Sequence, residues 1–257
     1  MRFFRLLILV ILVTTCALAK SQVRTGSSFR MQTRTKGNYR VTVIDLPKNV
    51  SGDFQRLKPK FLFYRPVSTN AIKLPMIVTL HGSGGGRRSI EQKKWQGTIN
   101  QLLRPENKKF EAFVLEPQSV GEWEPDSLEK MIEYVIENNP EVDTNRIYCM
   151  GYSMGGKGTW EWSMNYPNRF AAIIPKGFIP DLSRIEGMVN LPIWAMVGDQ
   201  DSKPRVEGIP AMEKALREKG STKVKVTIFK EANHASAAGL SRDEPGIFDW
   251  LFSWELE

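Results

Sequence analysis

The stretch Gly151-Tyr152-Ser153-Met154-Gly155-Gly156 sets a serine between glycines. The apolar run Arg146-Ile147-Tyr148-Cys149-Met150 precedes it, and Lys157 to Tyr166 reads as a helix with Trp160 and Met164 on one face. A strand-to-helix turn of this kind pushes the hydroxyl out of the sheet, and the N–H groups that open the helix face the same point. Glycines are needed because the helix backbone crowds the strand so closely that side chains would clash. The chemistry on offer is nucleophilic attack by a serine hydroxyl. A Gly-x-Ser-x-Gly run alone is also compatible with a structural turn, so the partners decide.

A serine nucleophile needs a base, and the chain holds two histidines, His81 and His234. His81 stands in Leu80-His81-Gly82-Ser83-Gly84-Gly85-Gly86, directly after the apolar Met76-Ile77-Val78-Thr79-Leu80. Glycines after such a strand let backbone N–H groups approach a developing negative charge, so His81 is expected to shape an oxyanion loop. His234 follows the alternating strand Val224 to Phe229 and the loop Lys230 to Asn233, and is the base by elimination and position. The apolar Leu191 to Val197 ends in Gly198-Asp199-Gln200-Asp201, which offers two carboxylates. The oxyanion donors expected are the N–H groups of Met154 and Ser83.

With these residues in place the chain resembles the secreted carboxylesterase and predicted-peptidase branch of the α/β hydrolases. It is similar to feruloyl and acetylxylan esterase-like enzymes and to polyhydroxybutyrate depolymerase-like proteins. The likeness runs from about Phe61 to Trp250. It is carried by Leu80-His81-Gly82-Ser83-Gly84, Val114-Leu115-Glu116-Pro117-Gln118, Asp143-Thr144-Asn145-Arg146-Ile147-Tyr148 and the serine turn with Gly158-Thr159-Trp160. Tyr166-Pro167-Asn168-Arg169-Phe170-Ala171-Ala172 and Gly198-Asp199-Gln200-Asp201 complete it.

The resemblance implies a Ser-His-Asp triad of Ser153, Asp201 and His234, in the chain order nucleophile, acid, histidine. Related loops place the acid after a Gly-x-x turn, which selects Asp201 and leaves Asp199 to bond the turn backbone. It further implies hydrolysis of carboxylic esters through an acyl-enzyme, with plant or algal polysaccharide-linked esters as a substrate class. A serine peptidase of the prolyl-oligopeptidase-like type is the alternative, and a non-catalytic binding protein with the same fold is a third reading. Two segments depart from the family pattern. His234-Ala235-Ser236-Ala237-Ala238 lacks the bulky aromatic that often follows the base, which should widen the pocket wall. Pro175-Lys176-Gly177-Phe178 replaces a small, glycine-rich segment, so Lys176 is expected to face substrate. Gln118 and Trp123 follow the fourth strand and are expected to line the acyl or alcohol pocket.

The elements that must carry these residues alternate between strand and helix after residue 74, which calls for a mostly parallel sheet with helices on both faces. Strands are expected near 39–46, 60–65, 75–81, 111–116, 146–151, 170–175, 192–198 and 224–229. No helix is read between the first two, so they should form an antiparallel edge. Leu128, Met131, Ile132, Val135 and Ile136 follow helical spacing between Asp126 and Asn138. Further helices are expected at 157–165, 207–219 and 245–254.

The 257 residues, 41% of them apolar, suit one catalytic domain over 39–257. Met1 to Arg5 supplies positive charge, Leu6 to Val13 an apolar core and Ala17-Leu18-Ala19 a cleavage site, so 1–19 reads as a signal peptide. A secreted or periplasmic protein with a polar, flexible leader over 20–38 follows. That run is too short for a comfortable membrane span, and Cys16 offers a minor route to a lipid anchor. If Cys16 leaves with the signal, Cys149 remains alone as a buried packing residue. No Cys/His cluster has zinc spacing, the 82–86 loop lacks a phosphate-loop ending, and no cofactor is implied. The net charge of +8 is dispersed, without a nucleic-acid recognition motif. Arg87, Arg88, Lys157, Lys176 and Lys203 all follow site loops, which raises the expectation of a basic mouth for acidic esters.

Overall fold

The computed structural model describes residues 33–256 except 68, 70, 95 and 96. The signal peptide read over 1–19, and the leader up to 32, lie outside the described residues. Nine strands form one sheet among them: β1 (Arg34–Lys36), β2 (Tyr39–Asp45), β3 (Lys60–Pro66), β4 (Leu74–Leu80), β5 (Phe113–Glu116), β6 (Val142–Tyr152), β7 (Ala172–Lys176), β8 (Ile193–Gly198) and β9 (Val224–Phe229). The α-helices are α1 (Lys48–Ser51), α2 (Thr98–Leu102), α3 (Pro125–Glu137), α4 (Met154–Asn165), α5 (Lys203–Glu218), α6 (His234–Asp243) and α7 (Ile247–Leu251).

The strand order is β1-β2-β3-β5-β4-β6-β7-β8-β9. Pairings from β1 to β5 through β2 and β3 are antiparallel, and every pairing from β5 to β9 is parallel. The expected antiparallel edge is therefore present, although the single turn α1 stands between its two main strands. It is one strand longer than expected. Arg34–Lys36 pairs with β2 although it falls in the stretch read as a leader, and its three exposed polar residues carry no apolar alternation.

Side-chain alternation splits the core into two layers. On β3, Phe61 and Phe63 face one layer while Leu62 and Tyr64 face the other; on β4, Met76 and Val78 oppose Ile77. The first layer is closed by Leu128, Met131, Ile132 and Val135 of α3 and by Trp160 and Trp162 of α4. The second is closed by Ile99 and Leu102 of α2 and by Phe248 and Leu251 of α7. Burial on both faces explains why the central strands read as continuous apolar runs. α3 is further tied to α4 by the indole of Trp162 donating to Glu129, and to the segment after α4 by Arg169, which bonds Glu129 and Glu133.

α4 lies unusually close to the sheet. A Cβ on Gly155 would fall on the Leu80 carbonyl of β4, and one on Gly156 on the Lys176 carbonyl of β7. Gly155→Ala should therefore destabilise the protein by about 1–3 kcal/mol through overpacking. Thermal unfolding followed by circular dichroism measures this as a lowered Tm; an unchanged Tm would mean that α4 can move off the sheet.

Candidate active site

Ser153 joins the end of β6 to the start of α4 at φ 58° and ψ −117°. Among the described residues, only Glu231 shares with it a positive φ on a non-glycine. Such a conformation costs of order 1–3 kcal/mol and persists only where its surroundings dictate it. Here the Ser153 N–H donates to the Lys176 carbonyl at 2.8 Å, and the Ser153 carbonyl accepts from Lys157 at 2.9 Å. Ser153 thus stands where N–H groups of the first helical turn lack intrahelical acceptors, with Met154 next in line.

His234 opens α6, and the Asn233 side chain caps that helix by accepting from Ala235 and Ser236 N–H groups at 2.9 and 3.0 Å. The imidazole is aimed at both neighbours the sequence assigned to it. Nε2 lies 2.9 Å from Ser153 Oγ, and Nδ1 lies 2.6 Å from Asp201 Oδ2. Tyr152 holds the same residue by donating its hydroxyl to the His234 carbonyl.

Asp201 follows β8 on a turn closed by its own N–H to the Gly198 carbonyl at 3.1 Å, and its side chain is only 1% exposed. Oδ1 accepts from Ser202 N–H at 2.6 Å and from Arg205 Nη1 at 2.9 Å. Burial pushes its pKa up, but the bonds from His234, Arg205 and Ser202 outweigh this and hold it below the ordinary value. Arg205 Nη1 also lies 3.3 Å from His234 Nδ1. A carboxylate can only accept, so the shorter contact to Asp201 assigns the Nδ1 proton, and Nε2 keeps its lone pair for Ser153. Arg205 was not foreseen; its place four residues after the acid, in the first turn of α5, is the signal available. Asp199 turns away and binds the next loop, accepting from Ala232 N–H at 3.3 Å.

His81 uses both ring nitrogens elsewhere. Nδ1 donates to the Gly82 carbonyl at 2.7 Å and Nε2 accepts from Ser119 N–H at 3.0 Å. Burial, helped by the charge of Lys93, pushes its pKa down to about 4. It is a neutral brace for the loop that carries Ser83, as expected. That loop passes beside the serine turn: a Cβ on Gly82 would sit 3.8 Å from Ser153 Cβ. Ser83 lines the same cavity as Ser153 and His234.

The three expected substrate contacts require correction. Gln118 is 2% exposed, and its amide donates to the Gly85 and Arg88 carbonyls at 3.0 and 2.6 Å, so it buttresses the loop from behind. Trp123 is a core residue: its indole donates to the His81 carbonyl at 3.1 Å, and its ring fills the space left by Gly158. Lys176 is buried and is not part of the cavity lining, and burial, with the charge of Arg242, pushes its pKa down to about 8. The basic mouth does not assemble either. Of the five basic residues, Arg88 lines the cavity and Arg87, Lys157, Lys176 and Lys203 do not; Lys157 pairs with Glu122 at 2.6 Å and Lys203 with Glu207 at 3.8 Å.

The cavity, about 550 Å³, opens over Ser153 and His234, with Ala235 and Ala238 on the side where the bulky aromatic was missing. Its wall contains two groups that sequence reasoning passed over, Lys93 and Glu116. Glu116 ends β5, is 6% exposed, and bonds to Tyr64, while its Oε1 has no hydrogen-bond partner among the described residues. A glutamate closing the apolar run Phe113-Val114-Leu115 was the available signal. Among the described residues no group of three or more His, Cys, Asp or Glu side chains could hold a metal ion. No described helix is long and apolar enough to cross a membrane.

Burial raises the Glu116 pKa well above the carboxylate range, against the pull of Lys93 and Tyr64. The folded state therefore binds this proton more tightly than the unfolded chain. That stability is intact below about pH 4.3 and is lost as pH rises towards the folded pKa. Glu116→Gln should flatten this decline. Urea unfolding of both proteins from pH 4 to pH 7 would show it, and parallel curves would contradict the burial of a strained carboxyl.

The model of the dienelactone hydrolase family matches residues 97–245, more than half of the chain. A Salmonella typhimurium protein named "Putative carboxymethylenebutenolidase" is 28% identical over 102 residues, covering 36% of this chain and 37% of its own length. The crystal structure of a thermostable esterase superposes with a TM-score of 0.69 at 23% identity, over 85% of this chain and 63% of that one. A ferulic acid esterase gives 0.61 at 15% identity, over 83% and 98%. An acylaminoacyl peptidase gives 0.57 at 14%, over 88% and 49%. The chain thus spans less than two thirds of the first two relatives, and the structural likenesses establish the α/β-hydrolase fold.

Proposed function

The chain belongs to the dienelactone hydrolase family, and on that premise we propose that it is a serine hydrolase acting on carboxylic esters. The observation that carries the reading is the continuous path from Ser153 Oγ through the His234 ring to Asp201, with contacts of 2.9 and 2.6 Å. Ser153 attacks the ester carbonyl as His234 Nε2 accepts its proton. The Met154 and Ser83 N–H groups receive the charge that develops on the carbonyl oxygen, a donor each worth about 2.7–4 kcal/mol in comparable sites. His234 then protonates the departing alcohol, and the acyl group remains on Ser153. Water attacks that acyl-enzyme with His234 again as base, which releases the acid and restores the serine. Asp201 holds the tautomer and supports the imidazolium formed in each half-reaction.

Esters rank ahead of peptides because the cavity lies in one compact sheet domain, while the similar peptidase structure has about half its length outside the match. Polysaccharide-linked esters of plant or algal origin remain the proposed natural class. The leader features of 1–19 support export, and the proposal includes a secreted or periplasmic location.

Ser153→Ala should lower ester turnover by a factor on the order of 10⁴ or more, and Asp201→Asn by roughly 10⁴, with Asp199→Asn far milder. Steady-state kinetics on short p-nitrophenyl, feruloyl and acetyl-xylan esters and on peptide amides measures this. Amide cleavage without ester turnover would overturn the esterase reading, and a fully active Ser153→Ala would remove the serine mechanism. Mass spectrometry of the exported protein should find a mature start near Lys20; an unprocessed, retained chain would remove the export proposal.

A further inference from the structure

We propose that Glu116 and Lys93 form a subsite, within the Ser153 cavity, for a hydroxyl group carried by the substrate. The inference rests on the esterase reading of that cavity. Glu116, Lys93, Ser153 and His234 all line one space, so a molecule held at Ser153 meets both the carboxyl and the amine.

Glu116 is more than nine-tenths buried, yet Oε1 has no hydrogen-bond partner among the described residues. Such an atom is unusual, because a buried acceptor left unmade costs its full desolvation. The groups around it are committed. Tyr64 already bonds Glu116, Lys58 Nζ donates to the Gly86 carbonyl at 3.0 Å, and the Gln118 amide serves the Gly85 and Arg88 carbonyls. Lys93 is close enough for its charge and that of Glu116 to act on each other, without reaching Oε1. Gly97, at φ 65°, packs against that oxygen, since a Cβ there would stand 3.3 Å from it, so a larger residue at 97 would crowd Oε1.

The missing partner must suit both groups. A hydroxyl donates to the carboxyl oxygen and accepts from the Lys93 ammonium. A carbonyl or ether oxygen could only accept, and an alkyl or aryl edge would leave both groups unpaired. A carboxylate would bring no proton to Oε1, which stays an acceptor when the Glu116 proton sits on the oxygen that meets Tyr64. The chemistry therefore selects esters bearing a hydroxyl on the acyl or the alcohol part.

Two matched pairs test this: methyl 4-hydroxycinnamate against methyl cinnamate, and 2-hydroxyethyl acetate against propyl acetate. In one pair, the wild type should favour the hydroxylated member by about tenfold or more in kcat/KM. Glu116→Leu and Lys93→Met should each bring that ratio to within about twofold of unity. If Glu116→Leu loses its fold by circular dichroism, the ratio for Lys93→Met decides. Equilibrium binding of the same pairs to Ser153→Ala, read by tryptophan fluorescence, separates this proposal from the esterase reading. Turnover with equal rates and equal affinities within both pairs overturns the subsite and leaves the esterase standing. Tighter binding of a hydroxylated member, lost with Lys93→Met but without wild-type turnover, supports the subsite and overturns the esterase.

Discussion

The site depends on how closely the backbone of α4 is pressed onto β4 and β7. Gly155 and Gly156 leave no room for a side chain against the Leu80 and Lys176 carbonyls. That contact fixes the first helical turn, and the turn in turn forces Ser153 into its positive φ. Relaxing the serine would require lifting a helix whose other face carries Trp160 and Trp162 into the core. Local strain is thus held by packing over a much larger area, the arrangement by which strained residues persist at sites of chemistry. His81 and Trp123 extend the same logic to the facing loop, since the loop's position follows from bonds among buried groups.

Two carboxylic acids that follow or end strands of the sheet are driven to different charge states. Asp201 receives three donors and stays ionised. Glu116 receives too few for its burial and retains its proton more strongly. His81 has both nitrogens committed to the backbone and is kept neutral, whereas His234 has one nitrogen committed to a carboxylate and the other turned to a hydroxyl. The number and charge of donors, set against desolvation, separates these roles. The buried Cys149, whose thiol burial pushes up to about 12, is correspondingly inert within β6.

The sheet and the Ser153–His234–Asp201 constellation were legible because both follow from linear order. Strands announced themselves as apolar runs, and each side chain sat just past the carboxyl end of one. What linear order does not give is the direction of a side chain beyond a strand end. Gln118, Trp123 and Lys176 were placed at the right end of the sheet, but their polar atoms or rings turn inward to the loop and the core. α6 has no counterpart among the expected helices because only Ala237 and Ser241 of its residues are buried, which leaves no apolar stripe to recognise. Asn233 as a capping side chain was its one local mark. β1 failed for the same reason, being exposed throughout.

At the far rim of the sheet, β9 pairs among the described residues only with β8. Lys225 lies over the Trp194 ring at 3.3 Å and Lys223 over the Trp254 ring at 5.7 Å. Indole faces thus hold two ammonium groups in fixed places beside the edge strand instead of leaving them free in solvent. Lysine along an edge makes it a poorer template for pairing with another chain, so the stacking keeps that charge next to the rim.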